Sequence, residues 1–177
     1  MATRRGLPGA GAIVLLVIAV LLLVRGCDDA GERDGADAER PGGRLSAEVV
    51  RAVDGDTIEV RIDGREEDVR YIGVDTPETV APGQPVECWG HEASDFNAGL
   101  VEGEVVTLVF DHELRDDYDR LLAYVYVGDV LVNARLVAQG FARTLEIAPN
   151  TSKAARFARL ETRAGAAGRG LWGACDE

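Results

Sequence analysis

Hydrophobic positions divide this chain into three stretches with different rhythms. Residues 7–24, LPGAGAIVLLVIAVLLLV, run without a single charge. A helix of that length reaches about 27 Å at ~1.5 Å per residue, close to the thickness of a bilayer hydrocarbon core. Residues 27–45 then alternate Gly, Asp, Ala and Arg with almost no large apolar side chain. Such a stretch buries too little surface to fold and reads as a flexible acidic tether. From residue 46 onward the pattern changes again. Apolar alternation and short β-branched runs predict strands over 48–53, 57–62, 68–74, 105–110 and 121–127, with Asp63-Gly64 as a hairpin turn between the second and third. Helical spacing follows at 91–102, where Ala93, Phe96 and Leu100 share a face ahead of Gly103, and at 132–139, which stops at Gly140. A last helix is expected over 152–164, behind Thr151, with Phe157 and Leu160 on its apolar side. Five short strands closed into a barrel, with about three helices packed on it, make an α+β domain of OB type spanning 46–177.

The N-terminal 26 residues read as a signal peptide or a signal anchor. Arg4 and Arg5 precede the apolar run and Arg25 follows it, and no small-x-small cleavage site stands after it, which favours an uncleaved anchor. The positive-inside rule then places the domain outside the cytoplasm, membrane-anchored, or secreted if the segment is removed. Cys27 stands where a lipoprotein would carry its lipid, but Arg25 two residues earlier is unlike that signal. Thr3-Arg4-Arg5 matches a twin-arginine signal only in part.

Charge narrows the function classes. The formal net charge is −12, and the residues from 46 onward carry all of it. An acidic surface repels a polyanion, so the chain is a poor fit for a passive nucleic-acid binder, whereas an enzyme that releases its product tolerates weak binding. The plainer reading of these acids is a solvated face. Lys153 is the sole lysine, and nothing functional follows from the dominance of arginine. Cys88 and Cys175 form an even pair suited to an oxidising compartment. A bridge between them would constrain the unfolded chain by about 4 to 5 kcal/mol in the loop-entropy account. The alternative is two unrelated thiols.

Candidate chemistry gathers in two acidic clusters, Asp54-Gly-Asp56-Thr57 and Asp75-Thr76-Pro-Glu78, flanking a basic strand position, Arg70. A second arginine, Arg120, closes the run Asp-Asp-Tyr-Asp-Arg at 116–120. Carboxylates are the oxygen donors a hard cation such as Ca²⁺ takes, and no Cys/His spacing for zinc is present. Guanidinium forks match phosphate oxygens and stay charged. Each element alone has a blander reading. Asp-Gly is first a turn, Asp75 to Glu78 a strand exit and helix cap, and Arg70 a solvent-facing strand residue. Together they point to phosphodiester chemistry.

The segments V-D-G-D-T, V-R-x-x-x-V-D-T-P-E, D-Y-x-R-x-L-A-Y-V, V-N-x-x-L-V-x-Q-G and a late L-W occur in an order that resembles the staphylococcal nuclease (thermonuclease) family over roughly residues 46–173. The resemblance implies an OB-fold nuclease of DNA and RNA that depends on Ca²⁺ and ignores the sugar, leaving 3′-phosphate and 5′-hydroxyl ends. It implies that Asp56 and Asp75 hold the metal with the Thr76 carbonyl, and that Glu78 orients or deprotonates the attacking water. Arg70 and Arg120 would grip the scissile phosphate, Asp54 would support the metal loop, and Tyr118 would lie against the nucleotide. A monomer with no protein partner is expected. Three departures stand out: Asp119 occupies a glycine position beside Arg120, residues 144–148 (TLEIA) lack the stacking tyrosines of relatives, and the surface is acidic. All three predict weaker substrate binding. The rival reading is a catalytically silent OB-fold domain that binds a partner at the cell envelope.

Overall fold

The computed structural model describes residues 38–79 and 85–175. The apolar segment, Cys27 and most of the expected tether therefore lie outside the described residues. Among the described residues no helix is long and apolar enough to cross a membrane.

Strand β1 (Arg44–Ala52) begins two residues ahead of the expected domain start at Ser46, and β2 (Thr57–Ile62) and β3 (Arg65–Tyr71) follow it as a hairpin pair. The Asp63-Gly64 turn behaves as its sequence requires: both residues have positive φ, 49° and 79°, and Ile62 faces Arg65 across a two-residue loop. Strands β5 (Val105–Val109) and β6 (Leu121–Val127) complete the barrel. Its order is β3-β2-β1-β5-β6, and a parallel pairing of β3 with β6, Val69 with Leu121 through Tyr71 with Ala123, closes it. β1 serves both halves, pairing with β5 over its first part and with β2 over its second, with a bulge between Val49 and Arg51. That extra residue bends the strand and lets one ribbon belong to both sides of a closed sheet. The inward alternation predicted from sequence supplies the core, with Ile58, Val60, Val69, Leu108, Leu121 and Val125 fully buried.

The expected strand over 68–74 is interrupted. β3 stops at Tyr71, and a separate two-residue β4 (Val74–Asp75) pairs with β8 (Arg143–Thr144) outside the barrel, while β7 (Val130–Leu131) extends the main sheet. Gly73 causes the break. Its φ is +79°, and a Cβ there would stand 2.7 Å from the Phe157 ring, so only glycine lets the chain turn out of the barrel at this point.

Three helices pack on the barrel: α1 (Gly90–Val101), α2 (Val132–Gln139) and α3 (Ala154–Ala166), with a short α4 (Leu171–Ala174) behind them. α2 matches its predicted span and ends on Gly140 in the left-handed conformation, whereas α3 starts two residues later than expected. Cys88 and Cys175 are joined by a disulfide.

Buried polar side chains stitch these layers. Asn133, fully buried on α2, accepts the Val125 N–H at 2.9 Å and donates to the Ile72 carbonyl at 2.9 Å. Asp111 accepts from the Tyr124 hydroxyl at 2.9 Å and the Ser152 N–H at 3.1 Å, which ties the end of β5 to the start of α3. Burial raises the Asp111 carboxyl, but the hydrogen bonds from Ser152 and Tyr124 outweigh it and leave it below its ordinary 3.8.

Asn133→Ala should cost about 2 to 3 kcal/mol in urea unfolding, because it strands a buried backbone donor and acceptor. A loss under about 0.5 kcal/mol would show that α2 is not anchored there. For Asp111, a depressed folded value means that its contribution is present above the unfolded value and lost as pH falls below it. Asp111→Asn should therefore shrink the drop in urea midpoint between about pH 5 and pH 3.

Candidate active site

The β1–β2 turn, the end of β3, β4 and the loop before β6 meet at one rim of the barrel. The turn is organised by its own side chains. Asp54 Oδ1 accepts the Asp56 N–H at 2.9 Å, and the Val53 and Asp54 N–H groups donate to the Thr57 carbonyl at 2.9 and 3.3 Å. From below, the buried Asn97 of α1 donates to the Asp54 carbonyl at 2.8 Å and accepts the Tyr71 hydroxyl at 2.9 Å. Gly55 must be glycine for a local reason: a Cβ would stand 2.6 Å from Thr76 Oγ1, so the turn lies directly against the chain leaving β4.

Asp56 is 5 % exposed and both of its oxygens are engaged. Oδ1 receives Arg70 Nε at 3.2 Å and the Thr57 hydroxyl at 3.3 Å, while Oδ2 accepts the Thr76 N–H at 2.8 Å and hydroxyl at 3.0 Å. Burial pushes its carboxyl up to about 6, against the pull of the Arg70 guanidinium. Arg70 is not a solvent-facing strand residue. Its side chain is 16 % exposed and turns toward β4, donating to the Tyr71 and Val74 carbonyls at 3.1 and 2.8 Å and to Asp75 Oδ1 at 2.9 Å. One guanidinium thus bridges Asp56 and Asp75.

Arg120 is held from the other side of the rim. Asp116 grips it with one oxygen, which accepts Nε at 2.8 Å and Nη2 at 2.6 Å, while its second oxygen accepts the Tyr118 and Arg120 N–H groups at 3.0 Å each. Burial raises the Asp116 carboxyl, but the hydrogen bonds from Arg120 outweigh it and leave it below the ordinary range. Tyr118 is largely exposed, its ring 5.3 Å from the Arg120 guanidinium.

These side chains share one cleft of about 210 Å³, lined by Asp54, Asp56, Arg70, Asp75, Glu78 and Arg120 among others. Every sequence-nominated catalytic or metal residue lies on it, Thr76 included, whereas Tyr118, nominated to lie against the nucleotide, is not among its lining residues. A neighbouring cleft of about 410 Å³ shares Arg70 and Arg120 and continues over Leu122, Leu145 and Ile147 with Asp117 and Glu113 at its edge. Among the described residues no three acids or other ligating side chains converge on a single metal-sized point. The donor chemistry nevertheless fits a hard cation, since four carboxylates line the polar cleft and one of them is buried.

Three functional contributors escaped the sequence reading: Asp116, which clamps Arg120; Asn97, which pins the acidic turn; and Glu87, whose Oε2 accepts the Glu78 N–H at 3.0 Å. Asp116 carried a faint signal, an aspartate two residues ahead of an exposed tyrosine in a turn-like run. Asn97 and Glu87 carried none, because their partners are remote in sequence or across a loop. Asp119 also takes on a definite role. It sits at φ 66°, a conformation that glycine adopts without cost, and its largely exposed carboxylate faces Arg115 at 3.7 Å. The acid in contact with Arg120 is Asp116.

Known proteins resemble this chain over most of its length. The family model described as "Staphylococcal nuclease homologue" matches residues 68–174. The chain is 34% identical over 162 residues to a thermonuclease of Staphylococcus hyicus, covering 92% of this chain and 95% of the relative. It is 39% identical over 140 residues to a thermonuclease of Staphylococcus intermedius, covering 79% and 82%. Endonuclease YncB of Bacillus subtilis (strain 168) is 42% identical over 124 residues, covering 69% of this chain and 59% of the relative.

The left-handed backbone at residue 119 makes a direct prediction. Asp119→Gly should leave stability unchanged, while Asp119→Ala should lower it by about 1 kcal/mol, since both remove the same weak surface pair and only alanine resists positive φ. Equal unfolding midpoints for the two variants would refute the strain argument.

Proposed function

The chain belongs to the staphylococcal nuclease family and is a nuclease, and we propose that it is a Ca²⁺-dependent, sugar-nonspecific enzyme of DNA and RNA that leaves 3′-phosphate and 5′-hydroxyl ends. The observation that carries this reading is the convergence of two clamped guanidiniums, Arg70 and Arg120, with Asp56, Asp75 and Glu78 on a single cleft. Guanidiniums fixed by carboxylates at the cleft offer preorganised positive charge where a phosphate gains charge in the transition state.

Asp56 and Asp75, with the Thr76 carbonyl, would hold the cation. When bound, Ca²⁺ supplies charge neutralisation at the phosphate and acidifies an adjacent water. Glu78 takes a proton from the attacking water, whose oxygen bonds to phosphorus in line with the departing 5′ oxygen. The P–O5′ bond breaks, and the leaving oxygen takes up a proton from solvent water to become the 5′-hydroxyl. Arg70 and Arg120 hold the non-bridging oxygens throughout. Asp54 keeps Asp56 in place through the turn it organises, and Tyr118, beside Arg120, lies against the nucleotide.

We propose that the enzyme acts outside the cytoplasm, anchored by its N-terminal segment. A disulfide between Cys88 and Cys175 supports an oxidising compartment. We propose further that it acts as a monomer without a protein partner.

On labelled single-stranded DNA, EGTA should abolish cleavage and added Ca²⁺ restore it. Arg70→Ala, Arg120→Ala and Glu78→Gln should each lower kcat by about 10²-fold or more with the fold retained by circular dichroism. Metal-independent cleavage would remove Ca²⁺ from the reading. Near wild-type turnover by Arg120→Ala would remove that arginine from it.

A further inference from the structure

The backbone of Glu78 is bonded in both directions to Glu87. Its N–H donates to Glu87 Oε2 at 3.0 Å, and its carbonyl accepts the Glu87 N–H at 3.0 Å. This reciprocal pair joins residues 78 and 87 directly. Glu87 is itself exposed, and two hydrogen bonds on an exposed segment exchange readily with water unless something else fixes the partners.

What fixes them is adjacent in sequence. Cys88 follows Glu87 and is bonded to Cys175, 87 residues away. The chain then turns through Trp89 at φ 70° into α1, where the Gly90 N–H donates to the Glu87 carbonyl at 3.0 Å. Gly90 is packed so closely that a Cβ would lie 3.0 Å from the Glu78 carbonyl oxygen and 2.9 Å from Thr79 Cγ2. At the far end of the bridge, the Cys175 N–H donates to the Leu171 carbonyl at 3.1 Å. Leu171 is buried and donates its N–H to the Gly140 carbonyl at 2.9 Å, at the end of α2. A continuous series of bonds therefore runs from the packed helical layer through the disulfide to Glu87 and so to the backbone of Glu78.

We infer that Glu87 is a positioning residue for Glu78, and that the Cys88–Cys175 bridge fixes Glu87 for that task, so the bridge sets the turnover rate. The inference rests on the role assigned to Glu78 above. Glu87 touches no substrate atom; it fixes the Glu78 backbone from which the carboxylate projects, while Glu78 Oε1 itself accepts the Thr79 N–H at 2.8 Å. Any side chain able to accept the Glu78 N–H at the same reach should replace it, which separates glutamine from alanine.

The test uses the full chain in detergent, labelled single-stranded DNA and Ca²⁺. Glu87→Ala should lower kcat by roughly tenfold with KM unchanged, since misplacing a catalytic group penalises the transition state more than binding. Glu87→Gln should recover kcat to within about twofold of the wild type, because its amide oxygen remains an acceptor. The paired variant Cys88→Ser with Cys175→Ser should lose a similar factor, and combining it with Glu87→Ala should add less than about twofold, as expected for two parts of one device. Unchanged kcat in Glu87→Ala, equal losses in the alanine and glutamine variants, or fully additive losses with the cysteine pair would each overturn the inference. Should Glu87→Ala fail to fold, the cysteine pair and Glu87→Gln decide. A folded cysteine pair with full kcat, or a glutamine variant as slow as that pair, overturns it. Glu78→Gln separates the two levels. If Glu78→Gln is inactive while Glu87→Ala is fully active, only this inference falls; if Glu78→Gln is fully active, the assignment of Glu78 falls first.

Discussion

A carboxylate with almost no access to water organises this protein's working rim. Burying Asp56 carries a desolvation cost of several kcal/mol, offset only if its oxygens are fully partnered. The partners come from two segments beyond its own turn: Arg70 from the end of β3, and the Thr76 backbone and hydroxyl from just past β4. Satisfying one charge therefore locks the acidic turn, the barrel strand and the chain leaving the barrel into a single arrangement. Gly55 permits the close approach and Asn97 braces it from the helix below. The shape of the cleft follows from that requirement.

The same economy explains how a strongly acidic domain presents basic groups at its centre. Each arginine at the rim is held by carboxylates: Arg70 by Asp56 and Asp75, Arg120 by Asp116, and the neighbouring Arg115 by Glu67, Glu39 and Asp119. Such clamping lowers the entropy lost when a phosphate is gripped, but it also lowers the positive potential that would draw a polyanion in from a distance. The net charge of −12 acts in the same direction. In the adjoining cleft the apolar wall comes from Leu122, Leu145 and Ile147, with no aromatic side chain but Tyr71 among its lining residues. For a nuclease, this combination favours placement and release over tight retention of the strand.

Local chemistry explains why much of the fold was legible. The strands over 57–62 and 121–127 and the helix over 132–139 coincide with their observed spans because period and turn residues agree there, as at Asp63-Gly64 and Gly140. The strand expected over 68–74 breaks at Gly73, which is left-handed and packed so closely on Phe157, a residue on a helix more than eighty positions later, that no Cβ fits there. No local pattern reports a neighbour at that separation. The start of β1 at Arg44 is of the same kind, since Arg44 and Leu45 gain strand structure by pairing with Val109 and Leu108.

The site divides along the same line. By itself the sequence nominated the acids and arginines that line the cleft, because Asp, Glu and Arg in those motifs are defined by side-chain type and by order along the chain. Only the tertiary structure decided what each one touches: that Arg70 turns off its strand to bridge two aspartates, that Asp116 and not Asp119 grips Arg120, and that Glu87, next to a bridged cysteine, bonds the backbone of Glu78. The physical reason is range. Backbone propensity and hydrophobic period act over a few residues, whereas the pairing of a buried charge is settled by whichever group the closed barrel and its helices bring within hydrogen-bond distance.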